Sequence, residues 1–509
     1  MPHHLVLDGH SLTVAQLAAV ADGRVETSLC RDAAARVDAA RRVVDRHADG
    51  ESAVYGINTG FGALAETRIP RDALNALQLN LLRSHAAGVG EPLPARAVRA
   101  AMALRANVLA KGFSGVRRET LERLIDLLNR RVHPVVPSRG SVGASGDLAP
   151  LAHLALVLVG EGLATVGDDL AVLPGGAALA RAGLQPVALE AKEGLALING
   201  TQPSTAVLAL AFVAGERLAR AADIAVALSI DALRGSVHPF DPRIHTPRPY
   251  AGQSQSAANV RLLLEGSAIN KSHEFCGRVQ DAYSLRCAAQ VHGAGREVLR
   301  FVDGILATEL NAATDNPMVF SDAGEIVSGG NFHGAPVAIA ADLLALAAAQ
   351  FVTISERRTD RLVNPVLSEL PPFLTPDSGL QSGYMMAQVT AAALASEVKT
   401  LAHPASVDSI PTSANREDHV SMSMGAALKA ARAVSLAIRI VAIEILCACQ
   451  ALDLLAPLRT SPRLQRVHAG VRSRVPALDG DRPPAPDIEA IAAMIDDGTL
   501  ESPCGGEVK

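Results

Sequence analysis

The sequence predicts a mainly α protein: a long antiparallel helical bundle with a smaller N-terminal region of helices and loops. Three observations carry this. Aromatic residues make up only 3% of the 509-residue chain and tryptophan is absent, so the core must be aliphatic. Hydrophobic residues reach 49% and charged residues only 19%, a balance that excludes a disordered chain. Long alanine-rich stretches carry almost no charge, and helices with small side chains pack at close range. One of these, residues 335–355, has Asp342 as its single charge. It reads as a buried helix of a large soluble protein rather than a membrane span.

The elements follow in order. Leu12, Val14, Leu17 and Val20 recur at helical spacing behind Ser11, a candidate cap, and residues 11–50 read as short helices. Periodicity breaks at SAVYGINTGFGALAETRIP (52–70), where Gly56, Gly60 and Gly62 mark a loop. Helix returns over 72–110 and ends near Lys111 and Gly112, which sets a boundary between an N-terminal region, 1–112, and a main body, 113–509. A further helix over 115–131 stops at HPVVPSRG (133–140), where two prolines force extended chain. Asp147 is an expected N-cap for an apolar helix running to Val159, with Pro150 tolerated in its first turn. Residues 163–190 fit a small hairpin or irregular excursion. Helix is expected over most of 203–232, 256–314, 335–360, 382–402 and 420–457. Arg432 and Arg439, seven residues apart, give the last of these one polar stripe. Pro476, Pro483, Pro484 and Pro486 then mark a loop before a short final helix.

Charge and cysteine usage narrow the function classes. The formal net charge is -5, with no basic footprint for nucleic acid or an acidic membrane. The six cysteines, at 30, 276, 287, 447, 449 and 504, form no CxxC pair, which fits a reduced, cytoplasmic setting. The N-terminal MPHHLVLDGHSLTV lacks a basic start and a sustained apolar run, so no signal peptide is expected. The fifteen histidines show no HExxH and no zinc spacing, so no metal is expected.

The chemistry points to GSVGASGDLAPL, residues 140–151. A phosphate loop would need lysine after its last glycine; here Asp147 follows Gly146 and would repel a triphosphate. The glycines fall as GxxGxxG, which is not the dinucleotide fingerprint, and GASGD is not the GxSxG elbow of a serine hydrolase. A third chemistry needs Ala144-Ser145-Gly146 as it stands. The Gly146 nitrogen can attack the Ala144 carbonyl carbon and close a five-membered ring, and glycine obstructs that approach least. Loss of water from the ring and from Ser145 leaves an exocyclic methylidene, an electrophile no ordinary side chain provides. The following helix N-terminus would favour negative charge developing on the ring. A plain flexible turn is the bland alternative for an isolated Ala-Ser-Gly.

The longer context resembles a known family. GSVGASGDLAPLAH (140–153) is similar to the signature of the aromatic amino acid ammonia-lyases, whose 4-methylideneimidazole-5-one group (MIO) forms from Ala-Ser-Gly without an external cofactor. Supporting stretches span nearly the whole chain: YGINTGFG (55–62), SHAAGVG (84–90), NGTQ (199–202), QDAYSLRC (280–287), GGNFHG (329–334) and SANREDHVSM (413–422). The resemblance implies the ammonia-lyase fold, a homotetramer with active sites shared between three subunits, and roles for particular residues. Ala144, Ser145 and Gly146 would form the electrophile. Tyr55 matches the tyrosine that removes the substrate β-proton, which requires tuning of a phenol whose ordinary pKa is about 10. Tyr283 and Asn199 match residues beside the electrophile. Arg286 matches the carboxylate clamp, where a planar fork suits bidentate binding. Gln280 and Phe332 match pocket-lining positions.

Within the family the chain resembles the histidine branch. Ser84-His85 stands where the phenylalanine and tyrosine branches have Phe-Leu or His-Leu. His85 could hydrogen-bond an imidazole. Glu417 could accept an imidazole N–H, whereas beside a phenyl ring it would be buried without a partner. The expected reaction eliminates ammonia from L-histidine to give trans-urocanate, opening histidine degradation. Whether the electrophile takes the amine or the aromatic ring is left open. Departures from the family pattern are Arg416 in place of Gln, Ala282 in place of Pro and Tyr384 in place of Phe; Arg416 bears on the charge around Glu417. Two alternatives stand beside this reading: a lyase or aminomutase acting on another aromatic amino acid such as tyrosine, and a catalytically silent helical scaffold.

Overall fold

The computed structural model describes residues 4–50, 52–60, 67–274 and 277–509; Gly62 and Cys276 lie outside them. The chain is mainly α. Its longest helices are Gln202–Ala232, Ala288–Glu309, Ala335–Val363 and Ser423–Leu454. Ala335–Val363 and Ser423–Leu454 are long and apolar enough to cross a membrane, yet 72% and 83% of their most apolar windows are buried inside the protein. Alanines along Ser423–Leu454, from Ala426 through Ala451, are almost wholly buried, as close helix packing requires.

The chain divides into two compact units. The first holds Met1–Leu210, Asp303–Asp342 and Pro404–Leu428; the second holds Ala211–Val302, Leu343–His403 and Lys429–Lys509. The first unit is built on helices Arg31–Ala48, Leu74–His85, Ala95–Ala110, Arg118–Asn129 and Leu148–Leu158. Ala95–Ala110 is buried almost throughout and forms its spine. Short sheets edge this unit. His4–Leu7 pairs in parallel with Glu26–Leu29, and Val89–Pro92 pairs antiparallel with Pro137–Arg139. Val132–Pro134, Leu163–Val166 and Asp169–Pro174 form three antiparallel strands, with the hairpin expected after residue 163 in its place. Met318–Phe320 and Glu325–Val327 form another hairpin.

Several local expectations are corrected. Ser11 does not cap the first helix, Val14–Ala21. Thr13 does, in a capping box with Gln16, while the Ser11 hydroxyl donates to Asp8. Residues 11–50 are not a run of short helices: a strand separates Val14–Ala21 from the 18-residue helix Arg31–Ala48. The helix expected over 72–110 is interrupted at His85, where Val89–Pro92 pairs as a strand. The helix expected over 256–314 is four pieces, Ala251–Leu264, Ala268–Ser272, Tyr283–Arg286 and Ala288–Glu309. Gly266 takes φ +83, and Ser267 restarts the chain by accepting from the Asn270 amide. Elsewhere the periodic stretches hold: Arg118–Asn129, Met385–Leu401 and a final helix Ala485–Asp497 fall where hydrophobic spacing put them.

The second unit holds a buried ion pair. Arg358 and Glu444 are both fully buried, with Ser229 and Ser355 donating to the same carboxylate. Arg432 and Arg439 reach out to Glu397 and Glu489, as a polar stripe should.

Candidate active site

The tripeptide Ala144-Ser145-Gly146 lies in a turn immediately before helix Leu148–Leu158. Two other segments of the first unit grip that turn. The Val142 carbonyl accepts from the Met422 amide at 2.8 Å. The Gly143 carbonyl accepts from Ser421 Oγ at 2.8 Å and from the Gly334 amide at 3.2 Å. Gly143 has φ +66, and a Cβ there would lie 2.3 Å from both Ser421 Oγ and Ser423 Oγ. Gly146 has φ +67, and a Cβ on it would meet the carbonyl carbon and oxygen of Gly200 at 2.3 Å. Only glycine fits at 146, because both the backbone conformation and the contact exclude a side chain. Ala144 is buried.

Asp147 occupies the N-cap position of its helix, but its side chain caps a different one. Its Oδ2 accepts the Ser204 amide at 2.8 Å, in the first turn of Gln202–Ala232, and its Oδ1 accepts Ser141 Oγ at 2.6 Å. Burial pushes this carboxyl upward, against the pull of those hydrogen bonds. The Asp147 amide donates to the Gly200 carbonyl at 2.8 Å. The tripeptide is therefore pressed onto the Asn199-Gly200 turn.

That turn ends helix Glu193–Ile198. Asn199 Nδ2 donates to the Asn316 carbonyl at 2.8 Å. Its Oδ1 is buried without a hydrogen-bond partner, as is Ser423 Oγ. Buried polar atoms are normally satisfied, and two orphans around one reactive turn mark space for another group.

Tyr55 is half-buried in a loop that rests on the same wall. A Cβ on Gly56, φ +78, would lie 2.8 Å from Pro317 Cδ and 2.9 Å from Leu195 Cδ2. Asn58 holds this loop by accepting the Val54 amide at 2.7 Å and donating to the Ser52 carbonyl at 2.9 Å. The segments that bear on Gly56, next to Tyr55, are thus the ones that carry Asn199 and Asn316.

Glu417 reaches the tripeptide directly. Its Oε1 accepts Ser145 Oγ at 2.9 Å and its Oε2 accepts Thr412 Oγ1 at 2.6 Å. The loop carrying it is strained. Ser413, Ala414 and Asn415 take φ of 50°, 52° and 66° in succession, a left-handed turn closed by the bridge between Thr412 and Glu417. Left-handed backbone costs an L-residue about 1–2 kcal/mol, and such strain collects at functional sites. Arg416, expected to bear on this carboxylate, is exposed; the hydroxyls of Ser145 and Thr412 hold Glu417.

His85 ends helix Leu74–His85. Its Nδ1 lies 2.9 Å from the Leu81 carbonyl, which can only accept, so Nδ1 carries the hydrogen and Nε2 keeps its lone pair. Burial lowers its pKa, while the Leu81 carbonyl and the charge of Glu417 pull the other way. The ring is neutral at neutral pH, within electrostatic reach of Glu417. Phe332, half-buried, is two residues from the Gly334 amide that grips the tripeptide turn.

Tyr55, His85, Ala144, Ser145, Gly146, Asn199, Phe332 and Glu417 all belong to the first unit; Gln280, Tyr283 and Arg286 form a group in the second. There the Arg286 guanidinium lies over the Tyr283 ring, 4.5 Å from its centroid. Gln280 and Arg286 line a cavity of about 620 Å³ with Arg234, Lys271 and Arg278 and with the carboxylates Glu274 and Asp281, the last paired with Arg278. Sequence reasoning missed Thr412, Ser421, Ser423 and Asn316. Their signal was faint: three hydroxyl residues in or beside the stretch 413–422 and an asparagine outside any recognised stretch, with roles visible only in three dimensions.

Residues 12–473 match the family model for aromatic amino acid lyases. A histidine ammonia-lyase of Anaeromyxobacter dehalogenans is 58% identical over 504 residues, covering 98% of this chain and 99% of the relative. The crystal structure of histidine ammonia-lyase from Trypanosoma cruzi superposes with a TM-score of 0.93 at 47% identity, over 99% of this chain and 96% of that one. A tyrosine aminomutase from Streptomyces globisporus also reaches 0.93, at 38% identity, over 99% of this chain and 99% of that one.

Proposed function

The chain belongs to the aromatic amino acid lyase family, and from that premise we propose that it eliminates ammonia from L-histidine to give trans-urocanate. Relatives named histidine ammonia-lyase, at 58% identity over almost their full length, support the substrate. The observation that carries it here is Glu417, whose carboxylate accepts Ser145 Oγ at 2.9 Å while His85 lies within its electrostatic reach. A carboxylate and a neutral imidazole beside the reactive turn form a polar pocket matched to an imidazole and poorly matched to a phenyl ring.

Ala144, Ser145 and Gly146 fit the methylidene-imidazolone. Gly146 admits no side chain, Ala144 is buried, and Asn199 Oδ1 and Ser423 Oγ are unsatisfied around the turn. Once formed, the ring supplies an electrophilic carbon that activates the substrate for loss of its amino group. Forming it removes the Ser145 hydroxyl, which takes away the donor that occupies Glu417 Oε1. That oxygen is then free to accept the imidazole N–H, so maturation of the chain also readies its recognition site.

The remaining roles follow from side-chain chemistry. Arg286 takes the substrate carboxylate through its planar fork. Tyr55 removes the β-proton, and trans elimination yields the conjugated product. Asn199 Oδ1 accepts from the substrate amino group, and Tyr283 acts beside it. Gln280 and Phe332 line the pocket. Gln280, Tyr283 and Arg286 enter from neighbouring subunits of a cytoplasmic homotetramer.

The test incubates the purified chain separately with histidine, tyrosine and phenylalanine and follows ultraviolet absorbance of the conjugated product. Product from histidine is expected. Product from tyrosine alone removes the histidine assignment, a β-amino acid product indicates a mutase, and no product from any of them indicates a silent scaffold.

A further inference from the structure

The strongest unassigned feature of the first unit is a pair of fully buried cations behind the Asn199-Gly200 turn. Arg105, on the buried helix Ala95–Ala110, is 0% exposed. Its Nη1 donates to the Asn199 carbonyl at 2.9 Å and to Gln202 Oε1 at 2.7 Å, and its Nη2 donates to the Ala196 carbonyl. Two of these acceptors are carbonyls at the C-terminal end of helix Glu193–Ile198, where a cation is favoured. Gln202 is itself set by donating to Thr314 Oγ1 at 2.7 Å. Lys192, also fully buried, pairs with Asp315 at 3.0 Å, and Asp315 accepts the Asn316 amide at 2.7 Å. Asn199 is therefore held at both ends: Arg105 fixes its backbone carbonyl, and Asn316 fixes its side chain.

This support reaches the reactive turn through one residue. Gly200 receives the Asp147 amide on its carbonyl and faces Gly146 across a backbone bridge. On its other side a Cβ would lie 2.5 Å from Arg105 Nη1 and 2.4 Å from Gln202 Oε1. The Gly200 backbone thus lies between the guanidinium and the tripeptide turn. Burial lowers Arg105 to about 10, opposed by Asp315, so it stays charged at neutral pH.

We propose that Arg105 is a positioning residue for ring closure: its three-pronged hold on the Asn199-Gly200 turn keeps that turn rigid behind Gly146 while the Gly146 nitrogen closes onto the Ala144 carbonyl carbon. The inference rests on the reading that this ring forms. In that closure the new bond is Gly146 N to Ala144 C. The carbonyl oxygen leaves as water with the amide hydrogens of Ser145 and Gly146, leaving a C=N bond. Ser145 then loses its α-hydrogen and hydroxyl as a second water. A floppy shelf lets Gly146 retreat from the carbonyl, and a rigid one holds the near-attack geometry.

Arg105→Lys keeps the charge but replaces the planar fork, whose two nitrogens divide these acceptors, with a single nitrogen on a flexible stem. The measurement is intact mass of natively purified wild type and variant, with circular dichroism, melting temperature and turnover on histidine. The wild type is expected at two waters below the encoded mass. The variant is expected to keep its helical content, to show a majority of chains at the encoded mass, and to lose kcat in proportion with KM unchanged. If Arg105 only supports the fold, the melting temperature falls while every folded chain still lacks two waters; that result overturns the proposal. Should Arg105→Lys fail to fold, Thr314→Val, which releases Gln202 with almost no change in volume, is expected to leave a measurable undehydrated fraction. A fully dehydrated Thr314→Val overturns the proposal as well. A wild type at its encoded mass would instead remove the ring, and the function built on it.

Discussion

Replacing Glu417 with glutamine separates recognition from folding. In the chain before ring closure, Oε1 accepts Ser145 Oγ at 2.9 Å and Oε2 accepts Thr412 Oγ1 at 2.6 Å. Glutamine keeps one carbonyl oxygen as an acceptor, and a threonine hydroxyl can accept from the new NH₂ as readily as it donates. The fold should therefore lose no more than about 1 kcal/mol. What the substitution removes is charge. A hydrogen bond to a charged group contributes about 1.5–3 kcal/mol against about 0.5–1.5 for a neutral one. The difference, about 1–2 kcal/mol, corresponds to about 5- to 30-fold in kcat/KM on histidine. The assay is the initial rate of urocanate absorbance across histidine concentrations, with a melting curve of each protein as control. A Glu417→Gln variant that melts with the wild type yet retains its kcat/KM on histidine would refute the role assigned to this carboxylate.

Other consequences are independent of the reaction. Asp231 is pushed up to about 6 by burial, although Thr460 and Ser267 donate to it, and its Oδ1 has no partner. A carboxyl raised in the folded state contributes stability that is complete below its ordinary 3.8 and is lost as pH climbs through about 6. Asp231→Asn should therefore raise the denaturation midpoint at pH near ~7 and leave it unchanged near ~4; an equal gain at both values would show that charge is not the cause. Tyr384 is 1% exposed with its hydroxyl unpartnered. Tyr384→Phe removes a desolvated group whose burial costs about 1–3 kcal/mol, less a few tenths for the small void left behind. It should stabilise the protein in a urea titration, and a lower midpoint would mean that the hydroxyl has a partner.

The long helices were legible because alanine-rich, aliphatic stretches leave periodicity as the dominant signal, and Gln202–Ala232, Ala335–Val363 and Ser423–Leu454 follow it closely. Apart from the hairpin after residue 163, the strands were not. Three to six residues such as Val132–Pro134 or Glu325–Val327 are too short to show alternation, and Val132–Pro134 finds its partner, Leu163–Val166, well along the chain. The interruption after residue 264 hid inside a stretch read as mostly helix, although Gly266 and Ser267 carry the stop and the restart. In the site, the tripeptide was legible because the ring chemistry proposed for it demands particular small residues side by side. The residues that position it were not, because each acts on a segment far along the chain.

Asp147 shows why local reading fails at such points. An aspartate before an apolar run is a sound N-cap signal, and Asp147 does sit at that position. Its carboxylate nevertheless turns to the first turn of Gln202–Ala232, where Ser204 donates to it. Its own amide meanwhile donates to Gly200, so one residue ties the reactive turn to the turn behind it through both backbone and side chain. A carboxylate spent on its own helix would satisfy one local donor and leave the Ser204 amide buried without a partner, a cost of about 1–3 kcal/mol. The long-range choice satisfies that donor and fixes the distance between two segments. Arg105 follows the same logic from the other face. An arginine inside an alanine-rich helix reads as a solvent-facing residue until the fold buries it completely and gives its donors the Asn199-Gly200 turn to hold. Ring closure as proposed needs that turn and the tripeptide at fixed separation, and these two buried side chains, each spent on a distant segment, hold it.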